Sequence, residues 1–288
     1  DDVAVHKSAR DGGGCTALRV AMNTMRWAVM ALVLGGGCRR GEPPAAINMA
    51  SRQAILGDRG VVGVEAIAAF DQLTAADRAR LASLRVFWGH QSVGRELMGG
   101  AGRLGYAFQT VSSAADYPRV TRGEALVADN RDPARKVRSF RTLVLDQGIG
   151  GAVQVAAFKF CWIDFNTDTD LDAIERQYAD AVTEARRRFP GLRILHVTPP
   201  LTSDEPRENR IRMAFGQRLR QRYAQTDVVF DLAEVQSTRD DGGRCVRDNS
   251  AVLCDAYRSD EGHFNDGGAD RAAKAFLYAI LRAAGAPT

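Results

Sequence analysis

The feature that most constrains the fold of this chain is a regular alternation of short apolar runs with longer segments of helical spacing. Four of the five apolar runs are dense in Val, Ile, Leu or Phe and show no polar alternation. Such runs are typical of strands buried on both faces, as in a parallel sheet. The five predicted strands are residues 84–88, 107–111, 153–160, 192–197 and 228–232.

Segments with helical spacing lie between and around these runs. They comprise residues 65–82, 93–104, 133–145, 171–189, 207–223 and 267–284. Strands that alternate with helices indicate parallel crossovers and a sheet covered by helices on both faces. We therefore predict an α/β fold of three α/β/α layers, with a mostly parallel sheet of about five strands. Residues 112–132 and 233–262 are predicted to be long loops at the sheet edge.

Composition excludes several other classes of protein. The 288 residues are 45% hydrophobic and carry a formal net charge of only +4. The arginines are interleaved with acidic residues instead of forming a basic stripe, so we expect no nucleic-acid partner. No cysteine or histidine spacing matches a zinc site, and we expect no metal.

The first 60 residues have the pattern of an export signal followed by a tether. Arg26 precedes the apolar run 27–34, which is too short to span a bilayer and is followed by small residues. We expect residues 1–21 to be an upstream artefact and residues 22–38 to be a signal peptide. Residues 39–60, rich in Pro, Gly and Arg, would then be a flexible tether to one domain at 61–288.

Cysteine positions bear on the compartment. Cys38 follows three glycines and an apolar run, which resembles the cleavage box of bacterial lipoproteins, although Gly35 stands where leucine is usual. The alternatives are a periplasmic protein anchored to the membrane by a lipid on Cys38 and an exported protein without an anchor. A third is that residues 22–38 are only a disordered or loosely packed N-terminal segment. An oxidising compartment permits disulfides, and Cys245 and Cys254, nine residues apart, are the natural pair. Cys161 lies in an apolar run and is expected to be a core thiol.

The first candidate for chemistry is Ser92, which follows the first predicted strand and begins a helix. Ligands of open parallel sheets bind beyond the carboxyl ends of the strands. The N-terminus of a helix also favours a developing negative charge. The alternative is that Ser92 only caps this helix.

The second candidate is Asp260 with His263, immediately before the last predicted helix. A carboxylate three residues before a histidine can bind one ring nitrogen, which leaves the other nitrogen to take a proton from a hydroxyl. Most pairs of this kind are surface polar residues, which is the structural alternative. The predicted topology can nevertheless bring this pair to the same sheet edge as Ser92.

Four segments together resemble the SGNH (GDSL-like) hydrolase superfamily, as a divergent bacterial branch: residues 87–94, 158–164, 196–201 and 260–263. The resemblance covers roughly residues 82–284. It implies a flavodoxin-like three-layer fold, with Ser92 as nucleophile and Asp260 and His263 as the catalytic Asp-x-x-His. It also implies that no cofactor is needed.

The sequence departs from that family in two places. His90, Gln91 and Ser92 replace the usual Gly-Asp-Ser, and residues 159–164 do not contain the usual Gly-x-Asn-Asp. We expect the backbone N–H of Ser92 to be one donor of the oxyanion hole, and the second donor is not identified by motif. Candidates for oxyanion or substrate contacts are Gly89, His90, Asn130, Lys159 and Asp164, each of which could instead have a structural role in a turn, an ion pair or the core.

The sequence thus predicts an exported serine esterase with the triad Ser92, His263 and Asp260. Its substrate would be a small-molecule or carbohydrate ester, such as an O-acyl group on a sugar. One alternative is a surface lipoprotein of the same fold that binds a glycan or a partner without catalysis. Another is an enzyme that transfers the acyl group to a sugar hydroxyl instead of to water.

Overall fold

A seven-stranded sheet forms the centre of the computed structural model, which describes residues 59–285. All neighbouring strands are parallel, in the order β1-β7-β6-β5-β2-β4-β3. The strands are β1 (Gly60–Val62), β2 (Val86–His90), β3 (Gln109–Thr110), β4 (Arg122–Leu126), β5 (Val155–Phe158), β6 (Arg193–Val197) and β7 (Val228–Phe230).

Helices connect these strands. They are α1 (Glu65–Asp71), α2 (Ala75–Ser83), α3 (Val93–Arg103), α4 (Pro133–Arg141), α5 (Ile149–Ala152), α6 (Leu171–Arg188), α7 (Pro206–Tyr223), α8 (Leu232–Ser237) and α9 (Asp266–Ala283). The single helix predicted at 65–82 is in fact two helices. The break occurs because Thr74 and Asp77 form a capping box that starts α2 anew.

Two hydrophobic cores lie on opposite faces of the sheet. Helices α1, α2, α3 and α9 pack with Trp88 and Phe230 on one face, and α4, α5, α6 and α7 pack with Phe87 and Phe158 on the other. Adjacent residues of β2 therefore point into different cores, as the pleat of a strand requires. The predicted three-layer α/β/α architecture is confirmed.

Strand β4 lies within residues 112–132, which the sequence predicted to be a loop. Its polar residues, such as Glu124, hide the strand signal, and alternate positions of β4 are buried. Gly123 allows a close approach here, because a Cβ at this position would lie 2.4 Å from the Tyr117 hydroxyl oxygen. Tyr117 in turn donates a hydrogen bond to the Val86 carbonyl oxygen at 3.0 Å. Short strand β1 was also missed.

The second predicted loop, residues 233–262, contains α8 and a hairpin of β8 (Val246–Arg247) and β9 (Ser250–Ala251). The two residues of its turn, Asp248 and Asn249, both have positive φ, as a tight primed hairpin turn requires. The predicted disulfide between Cys245 and Cys254 is present, with Cα atoms 5.4 Å apart. It joins the hairpin to the segment that leads to Asp260.

The predicted signal peptide at 22–38, with Cys38, and residues 1–21 lie outside the described residues, as does the predicted tether up to residue 58. Strand β1 starts at Gly60, the last residue of the predicted tether. Within residues 59–285, no helix is both long enough and apolar enough to cross a membrane.

Removing the disulfide should destabilise the protein. We expect the double variant Cys245→Ala, Cys254→Ala to lose about 2–3 kcal/mol of unfolding free energy, since a crosslink over a short loop restricts the unfolded chain. Urea denaturation with and without a thiol reductant measures this loss. The reductant should lower the stability of the parent and leave that of the double variant unchanged; an equal response of both proteins would contradict the prediction.

Candidate active site

The candidate site lies where the strand connections change direction. From β2 the chain moves to β3 and β4 on one side, whereas from the neighbouring β5 it moves to β6 and β7 on the other. Such a switch point leaves a crevice beyond the carboxyl ends of the two strands, where open α/β sheets bind ligands. Ser92 follows β2, and residues 159–164 follow β5.

The structure brings Ser92, His263 and Asp260 together in one hydrogen-bonded chain. The Ser92 hydroxyl is hydrogen-bonded to Nε2 of His263, across 171 residues of sequence. Nδ1 of His263 lies 2.8 Å from Oδ2 and 2.9 Å from Oδ1 of Asp260. This is the order of contacts that a nucleophile, a general base and an orienting carboxylate require.

Asp260 also holds the loop that carries the histidine. Its Oδ1 accepts hydrogen bonds from the backbone N–H groups of Gly262 at 2.9 Å and His263 at 2.8 Å. Burial acts to raise the pKa of Asp260, but these donors and the imidazole outweigh it, so its pKa lies below the ordinary value. The ionised carboxylate keeps the proton on Nδ1, which leaves Nε2 to accept the serine proton.

Ser92 sits in a strained turn between β2 and α3. Its φ of 51° and ψ of −115° are unfavourable for a residue with a Cβ. Its side chain makes no capping hydrogen bond to the helix, so the capping alternative does not describe its role. A serine on a sharp strand-to-helix turn projects its hydroxyl at the end of the sheet, as a nucleophile elbow does.

The start of α3 offers hydrogen-bond donors beside this hydroxyl. The N–H of Gly94 binds the Gln91 carbonyl oxygen, and that of Arg95 binds the Ser92 carbonyl oxygen. The N–H groups of Ser92 and Val93 have no acceptor among residues 59–285. Unpaired N–H groups at a helix N-terminus can stabilise an oxyanion.

Gly94 makes the turn sterically feasible. A Cβ at Gly94 would lie 2.3 Å from Cβ of His90. We expect Gly94→Ala to lower the unfolding free energy by roughly 1–3 kcal/mol and to displace Ser92, because neither the backbone of β2 nor that of α3 can move freely. Gly99→Ala is the matched control in the same helix, where the nearest atom would be the end of the Arg103 side chain at 3.7 Å.

The control variant, Gly99→Ala, should have a higher unfolding free energy than the parent. Alanine at an exposed helix position stabilises by roughly 0.5–1 kcal/mol relative to glycine. Urea denaturation of both variants measures the two changes. Equal stabilisation by Gly94→Ala and Gly99→Ala would show that the turn does not depend on the close approach.

Two side chains outside the triad fix the position of His263. Oε2 of Glu96, on α3, accepts a hydrogen bond of 2.7 Å from the backbone N–H of Phe264. The indole ring of Trp162 meets the His263 ring edge to face, with centroids 6.3 Å apart. Gly262 permits this contact, because a Cβ there would lie 2.4 Å from Nε1 of Trp162.

Arg212 fixes Trp162 in turn. Its guanidinium is buried, lies 5.7 Å from the centre of the Trp162 ring, and donates to the Trp162 carbonyl oxygen at 2.8 Å. It also donates to Thr202, Asn209 and Glu205. Sequence reasoning missed Trp162, Glu96 and Arg212; their partners lie far along the chain, and Arg212 is one of many arginines in α7.

Of the other predicted site residues, Gly89 and His90 are buried within the sheet. A Cβ at Gly89 would lie 2.8 Å from the Val127 side chain, so this glycine serves strand packing. His90 is 1% exposed, and its Nε2 lies 2.8 Å from the Glu124 carboxylate. Neither residue offers a surface to a substrate.

Asp164 and Asn130 accept hydrogen bonds from a buried lysine. Nζ of Lys136 donates to Oδ2 of Asp164 at 2.7 Å and to Oδ1 of Asn130 at 2.6 Å. Asp164 also accepts from the backbone N–H groups of Cys161 and Arg131. These contacts tie the segment after β5 to α4, which gives Asp164 a structural position rather than one facing a substrate.

Lys159, at the end of β5, is also fully buried. Its backbone N–H donates to the Gly89 carbonyl oxygen at 3.1 Å. Its Nζ donates to the Phe160 carbonyl oxygen at 3.3 Å. Burial lowers the pKa of Lys159. The structure therefore places this side chain beneath the site, inside the protein.

The burial of His90 should make stability depend on pH. Burial lowers its pKa to about 4, although Glu124 acts to raise it. The unfolded chain, with a pKa of about 6.5, then binds the proton more tightly. The contribution of the buried, neutral His90 to the unfolding free energy is thus complete above pH 6.5. It is lost as the pH falls from about 6.5 to about 4.

Comparison with His90→Gln isolates this contribution. We expect the unfolding free energy of the parent to fall by about 2–3 kcal/mol more than that of the variant between pH 7.5 and pH 4.5. His196, also buried with a lowered pKa, is present in both proteins and cancels. Parallel pH profiles from urea denaturation would contradict the assignment.

No group of three or more His, Cys, Asp or Glu side chains within residues 59–285 could hold a metal ion.

No protein-family model matches the chain. No curated protein matches it either. Among solved structures, it is similar to a Streptococcus pneumonia protein described in connection with platelet activating factor, at 15% identity and a TM-score of 0.47, covering 70% of this chain and 91% of that one. It is also similar to a lipolytic protein of the G-D-S-L family from Desulfitobacterium hafniense DCB-2, at 10% identity and a TM-score of 0.44, covering 67% and 98%. A peptidoglycan O-acetylesterase aligns at 16% identity and a TM-score of 0.37, covering 56% and 45%.

Proposed function

We propose that this protein is a serine ester hydrolase of the SGNH type. The observation that carries the proposal is the hydrogen-bonded chain from Ser92 through His263 to Asp260, which joins residues 171 positions apart at the switch point of the sheet. A structural role alone would not require a serine in a strained turn whose hydroxyl is directed to a histidine.

In the first half-reaction, the Ser92 oxygen attacks the acyl carbon of the ester while Nε2 of His263 takes the hydroxyl proton. The carbonyl oxygen becomes an oxyanion and accepts hydrogen bonds from the backbone N–H groups of Ser92 and Val93. When the carbon–oxygen bond to the alcohol breaks, His263 returns the proton to the departing oxygen. Asp260 stabilises the imidazolium between these two transfers.

In the second half-reaction, a water molecule replaces the alcohol. His263 takes a proton from the water, the hydroxide oxygen attacks the acyl carbon, and the bond to Ser92 breaks. The same proton restores the serine hydroxyl, and the carboxylic acid leaves. A sugar hydroxyl in place of water would give acyl transfer by the same steps, and analysis of products with an added sugar acceptor distinguishes the two reactions.

We further propose that the enzyme is exported and acts on O-acyl groups of carbohydrates. Support for export comes from the signal-like pattern at residues 22–38 and from the disulfide between Cys245 and Cys254, a bond typical of oxidising compartments. An anchor on Cys38 would hold the enzyme at a membrane surface.

Release of p-nitrophenol from its acetate ester by the full chain tests the triad. We expect Ser92→Ala and His263→Ala each to lower kcat by at least about 10³-fold, and Asp260→Asn by about 10²- to 10⁴-fold, because the three residues act as a unit. The double variant of Ser92 and His263 should lose no more activity than either single variant.

Ser83→Ala is the matched control. This serine lies at the exposed end of α2, and within residues 59–285 its hydroxyl donates only to the Arg80 carbonyl oxygen. Circular dichroism establishes that each variant is folded. A parent without activity on p-nitrophenyl acetate and on acetylated sugars, or equal rates in the parent and the Ser92→Ala variant, would refute the proposed catalysis and favour a binding module of this fold.

A further inference from the structure

Four exposed arginines lie at the edge of the sheet opposite the candidate active site. Arg85 directly precedes β2, Arg193 is the first residue of β6, and Arg187 and Arg188 end α6, which leads into β6. Because all neighbouring strands are parallel, the strand starts lie at one edge of the sheet, the amino edge, and Ser92 lies beyond the other. We call these four residues the amino-edge arginines. Arg85 is far from the other three in the sequence, so no basic stripe is visible there.

Backbone hydrogen bonds place Arg85 and Arg193 in one row. The N–H of Gln154 donates to the Arg85 carbonyl oxygen at 2.9 Å, and the N–H of Arg193 donates to the Gln154 carbonyl oxygen at 2.9 Å. Gln154 directly precedes β5, which lies between β2 and β6. Arg85 and Arg193 are therefore two strand spacings apart, or about 10 Å. A flat surface can contact both side chains at once.

The charges of these arginines are not neutralised within the described residues. None of the four guanidinium groups forms an ion pair or a hydrogen bond within residues 59–285, and only that of Arg188 has a ring contact, 5.7 Å from the centre of Phe189. Other groups already bind the carboxylates that lie at this edge, namely Asp227 with Arg186, Glu184 and Asp146 with Arg141, and Asp116 with the backbone N–H groups of Ser112 and Ser113.

The dipoles of the helices do not account for the whole set. A cation in the last turn of a helix interacts favourably with the helix dipole, which explains Arg187 and Arg188 without a partner molecule. Arg85 and Arg193 lie outside the last turns of α2 and α6, so this effect does not explain them. At the carboxyl edge, by contrast, Arg135 lies 3.7 Å from the Asp129 carboxylate. The amino edge thus presents positive charge that is available to an anionic surface.

The path of the chain favours a membrane as that surface. Strand β1 starts at Gly60, so the polypeptide enters the described domain at the amino edge. Cys38, the candidate for a lipid anchor, lies 21 positions before Arg59. A segment of that length reaches at most about 70 Å. We propose that the amino-edge arginines dock the domain on a bilayer surface that contains anionic phospholipid. The choice of a membrane rests on the proposed export and anchor, whereas the positive edge does not.

Docking through this edge directs the active site away from the bilayer. Strand β2 spans five residues, and Ser92 lies two residues beyond its end. At 3.2–3.4 Å per residue, Ser92 is therefore roughly 20 Å from the docked edge. Esters outside the bilayer can reach Ser92 in this orientation, whereas acyl groups of phospholipids in the same bilayer cannot. The orientation agrees with the proposed O-acyl carbohydrate substrates.

Sedimentation of the full chain with sucrose-loaded vesicles tests the docking surface. At about 0.1 M salt, we expect vesicles with about 30% phosphatidylglycerol in phosphatidylcholine to bind the parent at least about 10²-fold more tightly than vesicles of phosphatidylcholine alone. Each basic side chain near an anionic surface contributes about fivefold in affinity. Replacement of all four amino-edge arginines by glutamine should therefore weaken binding to the anionic vesicles by about 10²- to 10³-fold.

The matched control removes the same charge elsewhere, by replacing four exposed arginines of α6, α7 and β8 with glutamine: Arg176, Arg207, Arg210 and Arg247. The Debye length of about 10 Å at this salt concentration screens these positions from a surface at the amino edge, so we expect a change of less than about threefold. Residues 1–58 are the same in both variants, and their contribution cancels. Both variants should keep the rate of the parent on p-nitrophenyl acetate, and circular dichroism establishes folding.

If the amino-edge variant with four substitutions does not fold, the double variant Arg85→Gln, Arg193→Gln keeps the test, with an expected loss of about 25-fold. Equal affinity of the parent for anionic and neutral vesicles, or equal losses in the amino-edge and control variants, would overturn the proposal. Vesicle binding that is unaffected by the amino-edge substitutions, together with weaker binding to heparin, would assign this edge to an acidic polymer instead. An inactive parent that docks through the amino edge would refute the proposed catalysis and leave this inference intact.

Discussion

The candidate site depends on the close packing of helices α3 and α9. Helix α3 starts directly after Ser92, and α9 starts three residues after His263. At their contact, a Cβ on Gly100 would lie only 2.5 Å from the Ala269 carbonyl oxygen, so the two backbones approach as closely as glycine allows. Most of α9 is buried, and its apolar area fixes it against the sheet. Packing energy spread over a whole helix thus sets the position of one imidazole over one hydroxyl.

This arrangement explains which parts of the site could be predicted from the sequence. Ser92 follows a predicted strand, and Asp260 and His263 precede the last predicted helix. The order of these elements alone places the serine and the Asp–His pair at the carboxyl edge of a parallel sheet. The polar strand β4 could not be predicted, because Glu124 and Gly123 break the apolar pattern, and its pairing with β2 is determined by tertiary contacts. Local signals locate residues at element ends; they do not identify which polar residues are buried.

The buried charges show the same limit. Asp164 pairs with Lys136 over 28 residues of sequence, and Arg212 reaches the Trp162 carbonyl oxygen over 50. Both pairs hold the segment after β5, which also presents Trp162 to His263. A buried charge is tolerated only when its partners are all in place, so these contacts couple the shape of the site to the packing of α4 and α7. In the sequence, Lys136 and Arg212 look like ordinary surface charges of amphipathic helices.

The unusual His90-Gln91-Ser92 segment has a physical explanation in the same terms. The Gln91 side chain donates to the Val127 carbonyl oxygen at 2.7 Å, and His90 binds Glu124, so both residues before the serine join β2 to β4 or to the segment that follows it. These two hydrogen bonds on one side and α3 on the other hold Ser92 in its strained backbone conformation. Because Gly94 lies against the His90 side chain, the anchors and the helix start are in direct contact. The strained turn at Ser92 is therefore maintained without the usual glycine before the serine, because contacts fix the chain on both sides of the turn.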